Sequence, residues 1–435
     1  MNITHFNNSF FELNINSKKF VLDPWIGNMD GTCTWSYPNI SGNKNILNKL
    51  NPNFIYISHL HSDHYDENIL KKFKKKNTKI IIKKFPDRRL KKKLNNLGYK
   101  NVIEIDPWKS YNTKDMELIL VPSDQSNSSG IKTKIFYDLD SSIIVYDKKN
   151  KICFYNNVDN PLSEKSFKKI FQITKKKYGK IDIAAVGPRS ASEYPQCFLN
   201  INRNLEKKKI IRKSLNRAAK ILKILKVKNF IPAGGAYCIS GKFYPLQKYV
   251  AHPNDTEIYN FFSKKKYNVL NIDNAGKLRI TKEKLQIIDQ KNNSILSKSK
   301  KKILRSKVYN FEKIKTNFNL SKIFKKAQKN YLNIIKKINL RNDYQIKIFT
   351  YKNLKLSENG KIKSKIREKF NLIPNNNIKV KYNLELHLDY RLLYLCLKNK
   401  TNWNMAMGGS SIMFIRKPNI FNPDVSSSLN FLRAN

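Results

Sequence analysis

Phe54-Ile55-Tyr56-Ile57-Ser58-His59-Leu60-His61-Ser62-Asp63-His64 is the stretch that decides the fold. Its first five residues form a short apolar run of strand-forming types. The next six hold three imidazoles and a carboxylate. A loop leaving a strand is free of helical or pleated spacing, so all four side chains can converge on one point. Neutral imidazole nitrogens and carboxylate oxygens are good ligands for zinc, iron or manganese. The whole chain has six histidines, and three of them stand here. A polar loop with chance histidines is the competing reading, and it leaves that concentration without a cause. His59, His61, Asp63 and His64 are therefore the expected ligands of a divalent metal, with Asp63 also the candidate catalytic carboxylate.

Downstream, Asp66 to Lys75 reads as a helix with Ile69, Leu70 and Phe73 on one face. Upstream, Phe10–Ile15 and Phe20–Leu22 read as strands joined by a turn at Asn16-Ser17, the second ending on Asp23-Pro24. Further buried strands are expected at Lys79–Ile82, Val102–Ile105, Leu118–Val121, Ser142–Tyr146, Ile152–Tyr155, Ile181–Val186 and Asn229–Ile231. The longest predicted helix is Ile210–Leu225, where Ile211, Leu215, Ala218, Leu222 and Leu225 recur at alternating spacings of four and three. Strands first and helices interspersed later argue for a layered α/β unit. From Asp273 to Lys302 the chain turns polar and lysine-rich, which reads as a connection. Beyond it, a helix at Ser321–Ile338 and strands at Tyr344–Thr350, Ile378–Leu388 and Ser411–Ile415 make a smaller α+β unit. The expected domains are 1–290 and 303–435.

HLHSDH matches the HxHxDH signature of the metallo-β-lactamase superfamily. The setting is similar too, with an Asp at an upstream strand end (Asp23), a buried strand before the motif and a helix after it. The resemblance implies a four-layer αββα sandwich with the metal site at one edge. His59 and His61 would bind one metal, and Asp63 and His64 a second. Asp23 would orient a ligand, or simply cap its strand end. Asp159, after a strand, falls where the superfamily places a bridging carboxylate; a turn-forming Asp is the bland alternative. A third histidine is expected near Val121–Lys134 and none is there, leaving Asp124 or Gln125 as substitutes. With two ligand positions unfilled, the expectation is one tightly bound metal. His252 is the one late histidine that could ligate, or it is a surface loop residue. His5 and His387 read as structural.

Looser likenesses narrow this to one branch. Asp23-Pro24-Trp25, the stretch from Asp140-Ser141-Ser142 to Asp159-Asn160, Tyr194–Phe198 and the tail Asn402–Ser410 followed by Arg416-Lys417-Pro418 resemble the CMP-N-acetylneuraminate hydroxylases. That branch implies an iron-dependent hydroxylation of a sugar or nucleotide-sugar. Its Rieske cluster needs Cys-x-His paired with Cys-x-x-His. No such pair exists here, so electrons would come from a separate redox partner.

Lys and Arg outnumber Asp and Glu by 85 to 32, a formal charge of +53. That balance suits nucleic acid or an anionic surface. However, the lysines are spread along the chain in runs such as Lys74-Lys75-Lys76 and Lys300-Lys301-Lys302, and not gathered into one stripe. A generally solvated surface fits better, with no specific nucleic-acid partner. Five scattered cysteines give neither a disulfide framework nor a cysteine metal site. No signal peptide or membrane-span length is present, so a cytoplasmic protein without a membrane partner is expected.

Arg189 and Tyr194 follow a strand on a loop, where they could bind substrate, Arg189 through its fork to a phosphate or carboxylate. Exposed surface Arg is the alternative. Tyr237, after Gly234-Gly235, is a third candidate, and Trp403 reads as core. Together these residues describe a metal-dependent hydrolase-type enzyme acting on an anionic sugar or nucleotide-sugar related small molecule. A hydroxylase and a metal-dependent nuclease are the alternatives.

Overall fold

Strand Met116–Pro122 alternates its side chains between two cores, and that alternation shows how the layers are stacked. Met116, Leu118 and Leu120 face a core shared with Phe11, Leu13 and Phe20 of another sheet. Ile119 and Val121 face the opposite way, onto Phe167, Ile170, Leu215 and Leu222 of two helices. Period-two alternation buried on both faces is what a sheet between a sheet and a helix layer requires. The computed structural model describes residues 1–434 apart from 30–33, 37–46, 49, 74–76, 125–139, 190–191, 291–296, 316, 341–342 and 375–378.

The first sheet has eight strands in the order Leu285–Asp289, Gly276–Ile280, Asn2–Asn7, Phe10–Ile15, Lys18–Leu22, Phe54–Tyr56, Lys79–Lys83, Val102–Ile105. The second has seven, in the order Asn268–Val269, Asn229–Pro232, Ile183–Val186, Ile152–Asn156, Ser141–Asp147, Met116–Pro122, Ser110–Asn112. Val21, Ile55, Ile80 and Ile82 on the outer face of the first sheet pack on Ile69, Leu70, Phe73, Leu90 and Leu94 from helices Glu67–Phe73 and Arg89–Asn96. Helices Glu164–Tyr178 and Arg203–Leu225 cover the second sheet. The result is the αββα sandwich that the sequence led us to expect.

Three expectations need correction. The polar stretch after Asp273 holds a hairpin, Gly276–Ile280 with Leu285–Asp289, which pairs onto Asn2–Asn7. Leu278 and Ile280 are buried between exposed Lys277 and Arg279, an alternation that the surrounding lysines disguise. Asn2–Asn7 is itself a strand that was not expected. The long helix begins at Arg203, because Asn202 caps it by accepting from the Leu205 N–H.

The carboxy-terminal part carries a four-stranded sheet in the order Ile366–Leu372, Tyr344–Tyr351, Tyr382–Asp389, Met413–Lys417, with a parallel central pair. Ile366–Leu372 was not expected, and residue 378, the expected start of the third strand, lies outside the described residues. Helices Leu320–Lys337 and Tyr390–Leu397 supply Phe324, Tyr331, Leu393 and Leu397 to its core. Phe198, Tyr237, Phe243 and Leu246 from the sandwich join the same core, so the two parts share one apolar interface. Among the described residues, no helix is long and apolar enough to cross a membrane.

Candidate metal centre

Strand Phe54–Tyr56 runs parallel to Lys18–Leu22, placing Leu22 beside Tyr56, so both strands end at the same edge of the sheet. There Asp23 turns into the left-handed region at φ 40° and donates its N–H to the Tyr56 carbonyl at 3.0 Å. This seats its carboxylate against Ser58: the Ser58 N–H donates to Oδ1 and the Ser58 hydroxyl to Oδ2, both at 2.7 Å. The chain then turns, with the His61 carbonyl accepting from His64 N–H at 3.0 Å and Tyr65 N–H at 2.8 Å. That turn stacks His64 against His59, ring centroids 4.1 Å apart. Asp66 Oδ1 accepts from the N–H groups of Asn68 and Ile69, starting the next helix.

The second sheet brings two more carboxylates. Ser141–Asp147 and Ile152–Asn156 are antiparallel neighbours, with Ile143 opposite Asn156. Asp140, just before the first, and Asp159, just after the second, therefore lie at the same sheet edge. Tyr56 Oη to Ser141 Oγ (2.8 Å) and Ser141 Oγ to the Ser58 carbonyl (2.9 Å) pin that edge to the histidine loop. Val158 adopts φ 53°, a costly conformation for a β-branched residue. It is held there by Val158 N–H to Asn156 Oδ1 (3.1 Å) and by Asn160 Nδ2 to the Val121 carbonyl (3.2 Å) and Ser142 Oγ (3.0 Å).

Hydrogen bonding assigns the ring tautomers. The Ser58 hydroxyl spends its only proton on Asp23, so His59 Nδ1, 2.8 Å from that oxygen, must be the donor. His59 Nε2 is then a lone pair turned to the centre. His64 likewise gives its Nδ1–H to Asp23 Oδ2 at 3.0 Å and turns Nε2 to Asp159 Oδ2 (3.3 Å) and Asp63 Oδ2 (3.6 Å). Around His59 Nε2 stand His61 Nδ1 at 2.9 Å and Asp140 Oδ1 at 3.8 Å. One donor atom each from His59, His64 and Asp159 falls within 4.8 Å of the others. A carboxylate behind a ligating imidazole is the usual support of a metal site.

Electrostatics tell the same story. Burial, then the neighbouring His64 and His61, hold His59 well below the ordinary imidazole pKa, so its lone pair stays available. For His64, burial opposes charging, but Asp63, Asp23 and the hydrogen bonds to Asp159 and Asp23 prevail and hold it well above the ordinary value. Burial likewise works against ionisation of Asp159, yet His64 and His61 keep it below the usual carboxylate range. Burial raises Asp140, with Asp159 adding to the rise. The carboxylates thus favour a positive charge at His64, one that a metal cation would supply instead of a proton. The donor set of three imidazoles and three carboxylates fits a divalent transition metal.

The cavity over the centre holds about 390 Å³. Asp63, Asp140, Asp159 and Glu193 line it, and none of its described lining residues is Lys or Arg, although the chain carries +53. Tyr237 lines it, its hydroxyl donating to the Ser192 carbonyl at 2.9 Å. Gly235, also in the wall, has φ +70°, and a Cβ there would meet the Arg189 carbonyl at 2.8 Å.

Other expected site residues lie elsewhere. Arg189 is buried with its guanidinium 2.8 Å from Asp255 and 4.0 Å from Asp273, so its fork is already engaged inside the protein. Tyr194 donates to Glu206 at 2.6 Å and packs edge-on against Phe198, away from the cavity lining. His252 sits against the Tyr237 ring and is not in the described lining. Asp124 accepts from Ser163 N–H at 2.8 Å, at the start of helix Glu164–Tyr178, and Gln125 lies outside the described residues. Trp403 is core, its Nε1–H bonded to the Leu432 carbonyl. Asp140 and Ser58 were missed as site residues. Asp140 stands in no motif spacing of its own, although it opens one of the stretches that carry the family likeness.

Residues 2–174 match the family model of the beta-lactamase superfamily domain. This chain has the metallo-β-lactamase fold. The sandwich runs past the matched segment, since Ile183–Val186, Asn229–Pro232 and the 276–289 hairpin complete its sheets. Among solved structures, the chain is similar to CmlA, a diiron beta-hydroxylase from Streptomyces venezuelae, at 13% identity and TM-score 0.43, covering 64% of this chain and 54% of that one. The match thus spans about half the length of CmlA. An isothiocyanate hydrolase from Delia radicum gut bacteria matches at 13% identity and TM-score 0.43, over 65% of this chain and all of its own. The metallo-beta-lactamase fold protein YhfI from Bacillus subtilis matches at 10% identity and TM-score 0.37, over 62% of this chain and 95% of its own. No curated protein matches the chain.

Proposed function

We propose that this protein is a metal-dependent enzyme of hydrolase type acting on an anionic sugar or nucleotide-sugar related small molecule. The observation that carries the reading is the convergence of His59 Nε2 and His64 Nε2 on Asp159, with His61, Asp63 and Asp140 around them. These six residues would hold the metal. A divalent cation there would lower the pKa of a water toward about 7 and polarise a substrate oxygen. Asp23 and Ser58 fix the imidazoles. Asp63, part-exposed with its Oδ2 3.6 Å from His64 Nε2, would accept the proton of an attacking water. With no Lys or Arg in the described lining, a substrate anion would be recognised by the cation and by neutral donors.

A second reading, oxygenation by iron, is favoured by one observation. Asp140 faces His59 next to His61, and two imidazoles with one carboxylate suit ferrous iron. The likeness to sugar hydroxylases supports the same reading, which needs a separate electron donor. The test is turnover of a panel of esters, lactones, phosphodiesters and nucleotide-sugars by protein loaded with zinc or with iron. Zinc-supported hydrolysis lost in His59→Ala is the expected result. Turnover only with iron, dioxygen and a reductant would replace the hydrolase reading with the oxygenase one.

A further inference from the structure

Two sequence motifs contribute no ligand atom to the metal centre, Asp23-Pro24-Trp25 and the tail Asn402–Ser410, and both line the cavity over it or flank its lining. Asp23 orients His64, and two residues on Trp25 packs with Met29 and with Met405 of helix Trp403–Gly408 in a small apolar cluster. Met407 and Phe421 extend that surface along the same cavity. The lining thus combines acids and imidazoles from the sandwich with thioether and aromatic side chains, most of which come from the carboxy-terminal part of the chain.

Trp25 lines this cavity and is 1% exposed. Its Nε1–H, a donor with no acceptor capacity, has no hydrogen-bond partner among the described residues. A buried donor left unmatched is destabilising, so it calls for an explanation. A hydroxyl could have met an amine or an oxygen; an indole N–H can meet only an acceptor. Beside it, methionine side chains are unbranched and adapt to alkyl groups of different length.

We propose that Trp25, Met29, Met405, Met407 and Phe421 form an acyl-group subsite: Trp25 Nε1–H donates to a carbonyl oxygen of the substrate, and the methionines and Phe421 take its alkyl part. The substrate is then an acylated molecule, an amide or ester, whose polar end faces the His/Asp cluster. The carboxy-terminal part selects the substrate, and the sandwich acts on it. This rests on the metal-centre reading above for the orientation of the polar end.

N-acetyl-, N-butyryl- and N-hexanoylglycine are suitable probes, since each joins a carboxylate to an acyl carbonyl with a graded chain. Their binding to the full chain is measured by calorimetry, with free glycine as control, in metal-loaded and chelator-treated samples whose metal content is determined. Affinity should rise from glycine to N-butyrylglycine in both samples. Trp25→Phe keeps the ring and removes the donor, and should weaken N-acylglycine binding about tenfold with metal content and glycine binding unchanged. Met407→Ala should flatten the dependence on chain length, which guards against a folding defect in the Trp25 variant. Binding indifferent to the acyl group, or equal in wild type and Trp25→Phe, overturns the subsite. A protein that takes up no metal but still ranks the acyl chains would instead overturn the metal-centre reading and leave the subsite standing.

Discussion

Asp23 touches both central imidazoles at once, directly through His64 Nδ1 and through the Ser58 hydroxyl for His59 Nδ1. It is fully buried, and burial raises its pKa against the pull of His64 and Ser58. Such a residue sets ligand tautomers without touching the metal. Asp23→Asn removes the charge at constant shape, and should weaken metal binding by roughly ten- to a hundredfold. A competition titration against a chelator measures this, and unchanged affinity would reduce Asp23 to a strand cap. At this scale the sequence was readable where residue type and spacing suffice, as in His59, His61, Asp63 and His64. It was not readable where pairing across sheets decides. Asp159 was expected only through the family resemblance and Asp140 not at all, because both are far from the motif in sequence and reach it through antiparallel strands whose ends share one edge. Arg189 looked available because its partners, Asp255 and Asp273, lie far along the chain.

Strand Tyr382–Asp389 carries a buried histidine that has nothing to do with metal. His387 Nδ1 and the Tyr351 hydroxyl share a hydrogen bond at 2.9 Å, and the His387 ring stacks on Phe349. Burial lowers its pKa to about 4, outweighing the part-exposed Glu385 carboxylate 3.7 Å from Nε2. Above the unfolded imidazole value, about 6.5, both states are neutral and stability is full. As pH falls below it, the unfolded chain takes up a proton that the folded chain refuses. Stability is therefore lost down to about 4, by on the order of 3 kcal/mol. Denaturant unfolding at pH 7 and pH 4.5 should show this loss in wild type and a smaller one in His387→Gln. Equal losses would assign the acid sensitivity to other groups. Elements with clean periodicity, such as Phe10–Ile15, were legible in advance. The 276–289 hairpin was hidden because its exposed face is lysine and its apolar face is only two or three residues per strand.

Charge belongs to the whole molecule. The +53 is spread over many exposed lysines, while the described lining of the cavity carries four acids and no Lys or Arg. We expect nucleic acid to bind weakly, without sequence preference, and to be released steeply as salt rises. Nanomolar binding surviving physiological salt in a filter or anisotropy assay would favour the nuclease alternative. The union of sandwich and carboxy-terminal part was only half visible in the sequence. Both were expected, but their shared core of Phe198, Tyr237 and Phe243 with Tyr331 and Phe414 depends on packing between distant segments.

The central claim is that His59, His61, Asp63, His64, Asp140 and Asp159 form a metal centre. Elemental analysis of the protein after gel filtration against a mild chelator tests it most directly. We predict about one equivalent of zinc or iron per chain, falling to a small fraction of that in His59→Ala, His61→Ala and Asp140→Ala. A wild-type protein that holds no metal, or variants that retain it in full, would contradict the account.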